Sequence, residues 1–223
     1  MLVQNLKHSA YIFVFACFYG LCGHCGWAVA GSYDDFFKAI RQDDVKTVQA
    51  LLVRGFDPNT VNPAGMTGLM LAVAASSKHV SHVLAHWPAT QVDLRNTADE
   101  SALMLAALRG DLELCQWLIK KGADVNKTGW TPLHYAATNG HVEVINLLLD
   151  EYAYIDAESP NGTTPLMMAA QYGTPSAVKL LLEMGADPSL QNSQKLTAQD
   201  FAHKGHHAES ADIIAAFARG FKP

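Results

Sequence analysis

The chemistry that the sequence suggests first is that of a dithiol. The stretch LCGHCGW, Leu21–Trp27, places Cys22 and Cys25 with two residues between them. Two cysteines at this spacing can exchange a disulfide when a folded helix and neighbouring charges lower the pKa of one thiol. Here the pair lies at the end of an uncharged, apolar leader, and the first acidic residue of the chain is Asp34. We therefore interpret the dithiol as part of the leader rather than as a redox site.

Histidines form two clusters that could bind a metal ion. His79, His82 and His86 are three and four residues apart, a spacing that puts their imidazoles on one face of a helix. Imidazole is a ligand of zinc and copper. The second cluster, near the C-terminus, comprises His203, His206 and His207. We favour a solvated helix face for the first cluster and a structural turn for the second.

The first 30 residues have the order of a secretory signal peptide. Lys7 and the amino terminus form a thin positive region, residues 9–22 carry no charge, and Ala28 and Ala30 supply the small residues of a cleavage site. We predict a signal peptide of residues 1–30 that is cleaved after Ala30. The alternative is an uncleaved anchor, because the uncharged residues 9–33 are long enough to span a bilayer.

Cleavage at that point would leave a single cysteine in the mature chain. The cysteines removed with the leader are Cys17, Cys22 and Cys25. Cys115 would remain, and a lone cysteine cannot form an internal disulfide. It occupies an apolar helical position equivalent to Ile145 and Val178, which predicts a small buried side chain rather than a reactive thiol.

The composition excludes several classes of function. The 223 residues are 49% hydrophobic and 17% charged, which suits a chain with a sizeable core. The formal net charge of −5 gives no basic surface for nucleic acid. The sequence contains no Gly-rich phosphate loop, no H-E-x-x-H zinc motif and no nucleophile motif. It therefore predicts a protein that is not an enzyme, needs no cofactor and binds no nucleic acid.

The chain repeats itself after Gly31. One clear copy is TPLHYAATNGHVEVINLLLDEYAYID, and the next is TPLMMAAQYGTPSAVKLLLEMGADPS. The equivalent starts are Asp34, Thr67, Ser101, Thr131, Thr164 and Thr197. Their spacings are 33, 34, 30, 33 and 33 residues, a period typical of a repeat architecture.

Each copy is interpretable as two short antiparallel helices. Thr131 can cap the first helix with its side-chain oxygen, and Pro132 suits the first helical position, where its missing N–H is not needed. Gly140 supplies the left-handed residue that ends this helix. Apolar residues at helical spacing across 142–149 form the second helix. Because such a pair cannot bury its apolar face alone, stacked copies must share one core.

These residues resemble the ankyrin repeat. The pattern T-P-L-H-x-A-A-x-x-G-H, then Val and Leu-Leu, matches Thr131–Asp156 closely, and related copies cover residues 34–217. The resemblance implies an all-α repeat solenoid of helix-turn-helix pairs with β-hairpin loops, about six repeats including degenerate caps. It also implies that His134 is structural, bonding within and between repeats. Residues 218–223 form the predicted C-terminal tail.

Several copies depart from the pattern. The first and last copies are polar and degenerate, as caps with a solvent-facing side should be. The second copy has HWPATQ where a Gly-Ala-Asp turn is expected, which predicts an irregular junction that can bend. The spacing of 30 means that three residues are missing between Asn126 and Thr131. We therefore predict a short or distorted loop there.

The resemblance places partner contacts at the loop tips and at exposed positions of the first helices. The predicted partner-binding residues are Leu71, Leu105, Arg109, Trp130, Tyr135, Asn139, Met168 and Tyr172. Together they would form a concave groove with Trp, Tyr and Arg anchors, the types enriched at binding hot spots. The alternative is that Leu71 and Leu105 pack partly between helices while the rest is ordinary surface.

The sequence thus predicts a monomeric, exported scaffold, periplasmic or secreted, that binds an unidentified protein partner through its concave face and loops. The mature form would have no membrane span and no metal site. The alternative is a metal- or redox-handling envelope protein. It would use the histidine clusters or, if the leader is retained, the Cys22/Cys25 pair.

Overall fold

The computed structural model describes the backbone of residues 22–220 and the side chains of residues 31–220. Within that range the chain forms twelve α-helices and no extended strand. In chain order the helices are α1 Cys22–Arg41, α2 Val45–Val53, α3 Gly68–Ala74, α4 Lys78–His86, α5 Ala102–Arg109, α6 Leu112–Lys120, α7 Pro132–Thr138, α8 Val142–Asp150, α9 Pro165–Tyr172, α10 Pro175–Glu183, α11 Ala198–Lys204 and α12 Ala208–Gly220.

The helices are arranged in two layers. The odd-numbered helices are the inner helices and the even-numbered ones the outer helices, and each helix packs on its partner and on its neighbours in the same layer. Between the central repeats the inner helices contact one another more extensively than the outer helices do. Fully buried Ala106, Ala136 and Ala169 allow this close approach, so the stack curves toward its inner layer. The predicted all-α repeat solenoid is confirmed.

Except for α1, which runs through Asp34, each inner helix begins directly after the residue that marks the start of its repeat. Thr67 Oγ1 accepts a hydrogen bond from the Met70 backbone N–H at 3.3 Å. Ser101 Oγ accepts one from Met104 at the same distance. These side chains satisfy amides that the helix itself leaves unpaired. Gly140 follows α7 with a φ of +67°, which confirms its predicted left-handed conformation.

We call the loop between an outer helix and the next inner helix a finger. Four of the five fingers contain the same short backbone hydrogen bond, which joins Asn62 to Met66, Asn96 to Glu100, Ser159 to Thr163 and Asn192 to Leu196. The first two fingers add a single β-bridge each, Val61 with Thr67 and Arg95 with Ser101. The hairpins are therefore short turns. The third finger, residues 121–131, forms no such bond, as the missing residues predict.

The first repeat packs through larger side chains than the others. Phe36 and Ile40 of α1 are fully buried against the start of α3. A Cβ placed on Gly68 would lie 2.7 Å from the Phe36 ring and 3.1 Å from Ile40 Cδ1. This crowding explains why α3 begins with Gly68, whereas α7 begins with Pro132.

The irregular junction predicted in the second copy is filled by side chains of the third. At the end of α4 the Ala85 carbonyl accepts hydrogen bonds from Trp117 Nε1 at 3.2 Å and from Lys121 Nζ at 3.0 Å. Lys121 Nζ also donates to the Trp87 carbonyl. His86 stacks on Trp117 with ring centroids 3.9 Å apart. Carbonyls left open by the missing glycine turn are thus satisfied by the neighbouring repeat.

The structure describes only part of the predicted leader and of the predicted C-terminal tail. Helix α1 is continuous through Ala30, the residue before the predicted cut, and α12 extends to Gly220, inside the predicted tail. Residues 1–21 of the predicted leader, and the side chains of all three of its cysteines, lie outside the described residues. Within residues 22–220, no helix combines the length and the apolar character that crossing a bilayer requires.

Candidate functional site: the inner face and the finger edge

The inner-helix positions predicted to bind a partner differ in exposure. Leu71, Tyr135 and Met168 are partly buried and pack against the core. Leu105 is only 9% exposed, so it belongs to the core and offers little surface to a partner. The close approach of the inner helices around it causes this burial. For Leu105 the alternative of packing between helices therefore describes the structure better than a groove wall does.

The turn after each inner helix carries the more exposed predicted residues. The Arg109 guanidinium donates to the Ala74 carbonyl of the preceding repeat. Asn139 Nδ2 donates to the Leu108 carbonyl in the same way, at 2.7 Å. Both side chains are exposed yet held in place by the neighbouring repeat. Tyr172, at the end of α9, is 57% exposed.

Trp130 and Tyr135 lie where the third finger meets α7. The Trp130 ring stands edge-on to the His134 ring, with centroids 5.2 Å apart. The Tyr135 hydroxyl donates to Glu100 Oε1 at 2.8 Å. Burial, reinforced by this hydrogen bond, raises the pKa of Tyr135 well above its usual range. Tyr135 therefore stays protonated and links its repeat to the second finger.

His134 is buried and links two repeats. Its Nδ1 accepts from the Thr131 backbone N–H at 3.2 Å, so the proton of the neutral ring is on Nε2. Nε2 donates to the Thr163 carbonyl of the next finger at 2.9 Å. Burial lowers the pKa of His134 to about 4. The predicted structural role, bonding within and between repeats, is confirmed.

The other candidate reactive groups are Cys115 and the first histidine cluster, and both take part in packing or hydrogen bonds of the fold. Cys115 is fully buried, as predicted, and burial raises the pKa of its thiol to about 12. His79 Nδ1 bonds Asp43 at 2.7 Å, and His86 Nδ1 bonds the His82 carbonyl at 2.7 Å. Among the residues that the structure describes, no group of three or more His, Cys, Asp or Glu side chains is placed to bind a metal.

The short third finger leaves a cleft in the row of fingers, which we call the finger cleft. It consists of two adjoining cavities of about 740 and 550 Å³. Both are lined by Asp99 from the second finger, by Lys127 from the third and by Glu158 from the fourth. Tyr154 lines the larger cavity and Trp130 the smaller one. The missing residues thus create concave space beside a predicted binding residue.

The two cations of the finger cleft are already paired. Lys127 Nζ contacts Asp99 Oδ2, and the Lys127 side chain is only 6% exposed. The Arg95 guanidinium lies 3.5 Å from Asp99 and 3.4 Å from Asp124. The hydrogen bond from Lys127 holds the pKa of Asp99 below its ordinary value, so Asp99 stays charged at neutral pH.

Comparison with known families agrees with this architecture. The family described as ankyrin repeats, in three copies, matches residues 36–128, 83–159 and 103–192, together well over half of the chain. The chain belongs to the ankyrin-repeat family. The matches span the region from α1 to the fifth finger and include the short one.

Curated relatives share this ankyrin-repeat region but are much longer proteins. Transient receptor potential cation channel subfamily A member 1 from Homo sapiens is 31% identical over 159 residues, 66% of this chain and 14% of that protein. Nuclear factor NF-kappa-B p105 subunit from Gallus gallus is 33% identical over 165 residues, 71% of this chain and 17% of that protein. The chain therefore spans less than a fifth of these relatives.

Solved structures of similar length match most of the ankyrin-repeat chain. A chain in the complex of a predatory endopeptidase from Bdellovibrio bacteriovorus with an immunity protein has a TM-score of 0.70 at 27% identity. An ankyrin repeat domain from Acinetobacter baumannii has a TM-score of 0.69 at 26% identity. Each match covers 82% of this chain and 97% of the other.

Two exposed tyrosines beside the finger cleft are absent from the residues predicted from the sequence. Tyr152 and Tyr154 are 85% and 69% exposed. The signal was present in the repeat pattern, because EYAYID replaces the usual G-A-D-x-N. Tyr152 stands where the preceding repeat has Gly122, and Tyr154 stands where it has Asp124. A pattern break that exchanges small or polar residues for aromatic ones is a sign of a binding surface.

Proposed function

We propose that this ankyrin-repeat protein is a non-enzymatic scaffold that binds another protein through its inner face and fingers. One observation carries the proposal. Equivalent positions where three consecutive inner helices end carry exposed side chains, namely Arg109, Asn139 and Tyr172. Arg109 and Asn139 are also fixed by hydrogen bonds to the preceding repeat. Side chains that are ordered before binding lose little entropy when a partner docks.

The similarity to solved structures supports this proposal. One similar chain comes from a complex of an endopeptidase with an immunity protein, at 27% identity and a TM-score of 0.70. A stack of this shape therefore occurs in a protein–protein complex. The ankyrin-repeat fold gives a rigid, curved surface on which a partner can rest, and this surface needs no cofactor to act.

We also propose that the protein is exported. The support is the order of the first 30 residues, a positive start, an uncharged apolar run and small residues at Ala28 and Ala30. The mass and the N-terminal sequence of the protein purified from its native cells test this. Loss of residues 1–30 supports cleavage, whereas an intact leader in the membrane fraction favours the anchor.

The test of partner binding uses the purified protein as bait in extracts of the compartment where it resides. A partner retained by the wild type is identified, and its affinity is measured for the wild type and for Tyr172→Ala. We expect the substitution to weaken binding about tenfold, the effect of losing a central aromatic contact. Thermal unfolding should be unchanged, because the Tyr172 side chain is more than half exposed.

The matched control is Met184→Ala. Met184 is 50% exposed but follows α10 in the outer layer, away from the inner face. It should leave both affinity and unfolding unchanged. An equal loss of affinity in both variants, or no loss in Tyr172→Ala, would contradict the role of the inner face.

A further inference from the structure

We propose that the finger cleft binds an extended, arginine-bearing segment of the partner protein. The inference rests on the proposed function, because it assigns a chemistry to one contact of the scaffold. Adjoining cavities of about 740 and 550 Å³ are large enough to hold several side chains. The cleft exists because the third finger is three residues short, whereas the second and fourth fingers reach full length.

One exposed tyrosine lines the finger cleft, and a second exposed tyrosine lies two residues before it in the chain. Tyr154 lines the larger cavity and remains 69% exposed, and Tyr152, two residues before it, is 85% exposed. Single exposed apolar residues are ordinary on protein surfaces. A pair of exposed tyrosines beside a cavity is unusual, because tyrosine is among the residues enriched at binding hot spots. The pair therefore marks the cleft as a contact surface.

Tyr152 is kept at a position that suits glycine better. Its φ is +63°, whereas the equivalent Gly122 and Gly185 have φ values of +94° and +101°. The left-handed conformation is unfavourable for a residue with a Cβ atom and rare for a bulky one. A conformational cost without a packing gain indicates that the exposed ring serves a purpose outside the fold.

The backbone that carries the tyrosines is fastened to the third finger. Asn126 Nδ2 donates to the Tyr152 carbonyl at 2.8 Å, and the Tyr154 N–H donates to Asn126 Oδ1 at 2.9 Å. Asn126 itself lines the larger cavity. The two rings are therefore presented on a fixed base, so a ligand need order only side chains when it binds.

The charges around the finger cleft favour a cationic occupant. Arg95 and Lys127 are both paired with carboxylates inside the cleft. Glu158 lines both cavities and forms no ion pair with any described residue. Residues 150–158, which carry the tyrosines, include four carboxylates and no Lys or Arg. An acidic segment would therefore meet repulsion, whereas a basic one meets an available carboxylate.

Arginine fits this combination better than lysine does. Its planar guanidinium can bind the Glu158 carboxylate through two hydrogen bonds and stack on a tyrosine ring at the same time. A lysine ammonium is a compact, strongly hydrated charge that cannot stack in this way. The occupant is thus an extended segment whose arginine lies between Tyr154 and Glu158.

The test measures binding of a short blocked peptide of alternating glycine and arginine to the full ankyrin-repeat chain. Chemical shifts of backbone amides in residues 124–130 and 152–159 report the site and the dissociation constant. We expect saturable shifts at these residues below about 1 mM peptide. A matched peptide with lysine in place of arginine should bind more weakly. A matched peptide with glutamate in place of arginine should not bind.

Variants separate the cleft from general attraction to an acidic protein. Tyr154→Ala and Glu158→Gln should each weaken binding of the arginine peptide about threefold, and together about tenfold. Met184→Ala and Glu143→Gln remove an exposed apolar side chain and a carboxylate from sites outside the cleft and should leave binding unchanged. Tyr152→Gly should weaken binding while raising the unfolding temperature by about 2–4 °C, because it relieves the left-handed strain.

Three outcomes would overturn the inference: no saturable shift at the cleft, tighter binding of the glutamate peptide, or equal losses in Glu143→Gln and Glu158→Gln. The proposed function fails differently. If the bait retains a partner that binds the double variant Tyr154→Ala, Glu158→Gln as tightly as the wild type, the scaffold proposal is supported and the cleft assignment is wrong. If the arginine peptide binds the cleft but no partner is retained, the cleft stands and the scaffold proposal is wrong.

Discussion

At the scale of single residues, His134 shows how one buried side chain joins two repeats. It accepts from Thr131 within its own repeat and donates to Thr163 in the next. The bond that Nδ1 accepts requires the neutral ring, since a doubly protonated imidazole can only donate. Other repeats place Met104 and Met167 at the equivalent position, where the sulfur accepts the N-cap amide at 3.4 Å. His134 alone adds the bond to the following finger.

Replacing His134 by methionine should reduce the loss of stability in acid. Its folded pKa of about 4 lies below the ordinary 6.5, so its contribution is fully present above pH 6.5 and is lost as pH falls toward 4. The loss from this group amounts to about 3 kcal/mol. His134→Met should therefore show a smaller fall in the free energy of urea unfolding between pH 7 and pH 4.5. The two proteins are compared by how steeply the free energy of unfolding changes with pH, because the variant also loses a hydrogen bond at every pH.

The control for this prediction is His203→Gln. His203 is exposed near the end of α11 and contributes no buried bond. It should keep the pH dependence of the wild type. Identical slopes for His134→Met and the wild type would show that another group carries the acid sensitivity.

At the scale of the elements, the helices differ in how their ends are completed. Outer helices α6 and α10 are followed by Gly122 and Gly185, which adopt the left-handed conformation that closes a helix. Helix α4 ends at His86 without such a residue, and its free carbonyls are bonded by Lys121 and Trp117. The second and third repeats are therefore joined by a contact that the others do not need.

Lys121→Met should destabilise this junction. Removing the ammonium leaves the Trp87 carbonyl with the Thr90 N–H as its donor and halves the side-chain donors to Ala85, so we expect a loss of about 1–2 kcal/mol in urea unfolding. Lys120→Met is the matched control. Lys120 is exposed, with Nζ 5.3 Å above the Trp117 ring, and should cost about 0.5 kcal/mol. Equal costs for the two lysines would contradict the capping role of Lys121.

At the scale of the whole molecule, stability is distributed along a one-dimensional stack. Each repeat contacts only its neighbours, so central repeats are supported on two sides and terminal repeats on one. The inner layer is the more tightly packed of the two, because alanines line the contacts between inner helices. Protection from opening should therefore be highest in the central inner helices.

Hydrogen–deuterium exchange checks this distribution. Amides of α5 and α7 should exchange most slowly among the helices and those of α12 most rapidly, since terminal repeats open without unfolding the rest. Residues 127–130 should exchange faster than the amides of Asp124 and Asn126, because the latter donate to the carboxylates of Asp93 and Asp124 whereas residues 127–130 donate no backbone hydrogen bond.

Gly173→Ala should weaken the stack at its fifth repeat. A Cβ there would lie 2.4 Å from the Ala137 carbonyl oxygen, so exchange should accelerate on both sides of α9. Ser176→Ala, at an exposed site of α10, is the control and should leave exchange unchanged. Uniform protection along the chain, or an unaltered Gly173→Ala profile, would contradict the nearest-neighbour picture.

Local patterns predicted the elements because each repeat carries its own start and stop signals. Thr67, Ser101 and Thr164 mark helix starts by a side-chain cap, and Gly140 marks a stop by its left-handed backbone. These effects act within a few residues, so a sequence is sufficient to find them. The count of residues between Asn126 and Thr131 likewise predicted the short finger.

The exposure of the site residues depends on distances between neighbouring repeats, which no local sequence pattern contains. The sequence by itself determined the repeat, the stack of helix pairs, the burial of Cys115 and the structural role of His134. The tertiary structure alone decided that Leu105 is buried while Tyr154 stays exposed beside a cavity. The physical reason is that exposure in a stack depends on how closely neighbouring repeats approach and on which fingers are long enough to fill the space between them.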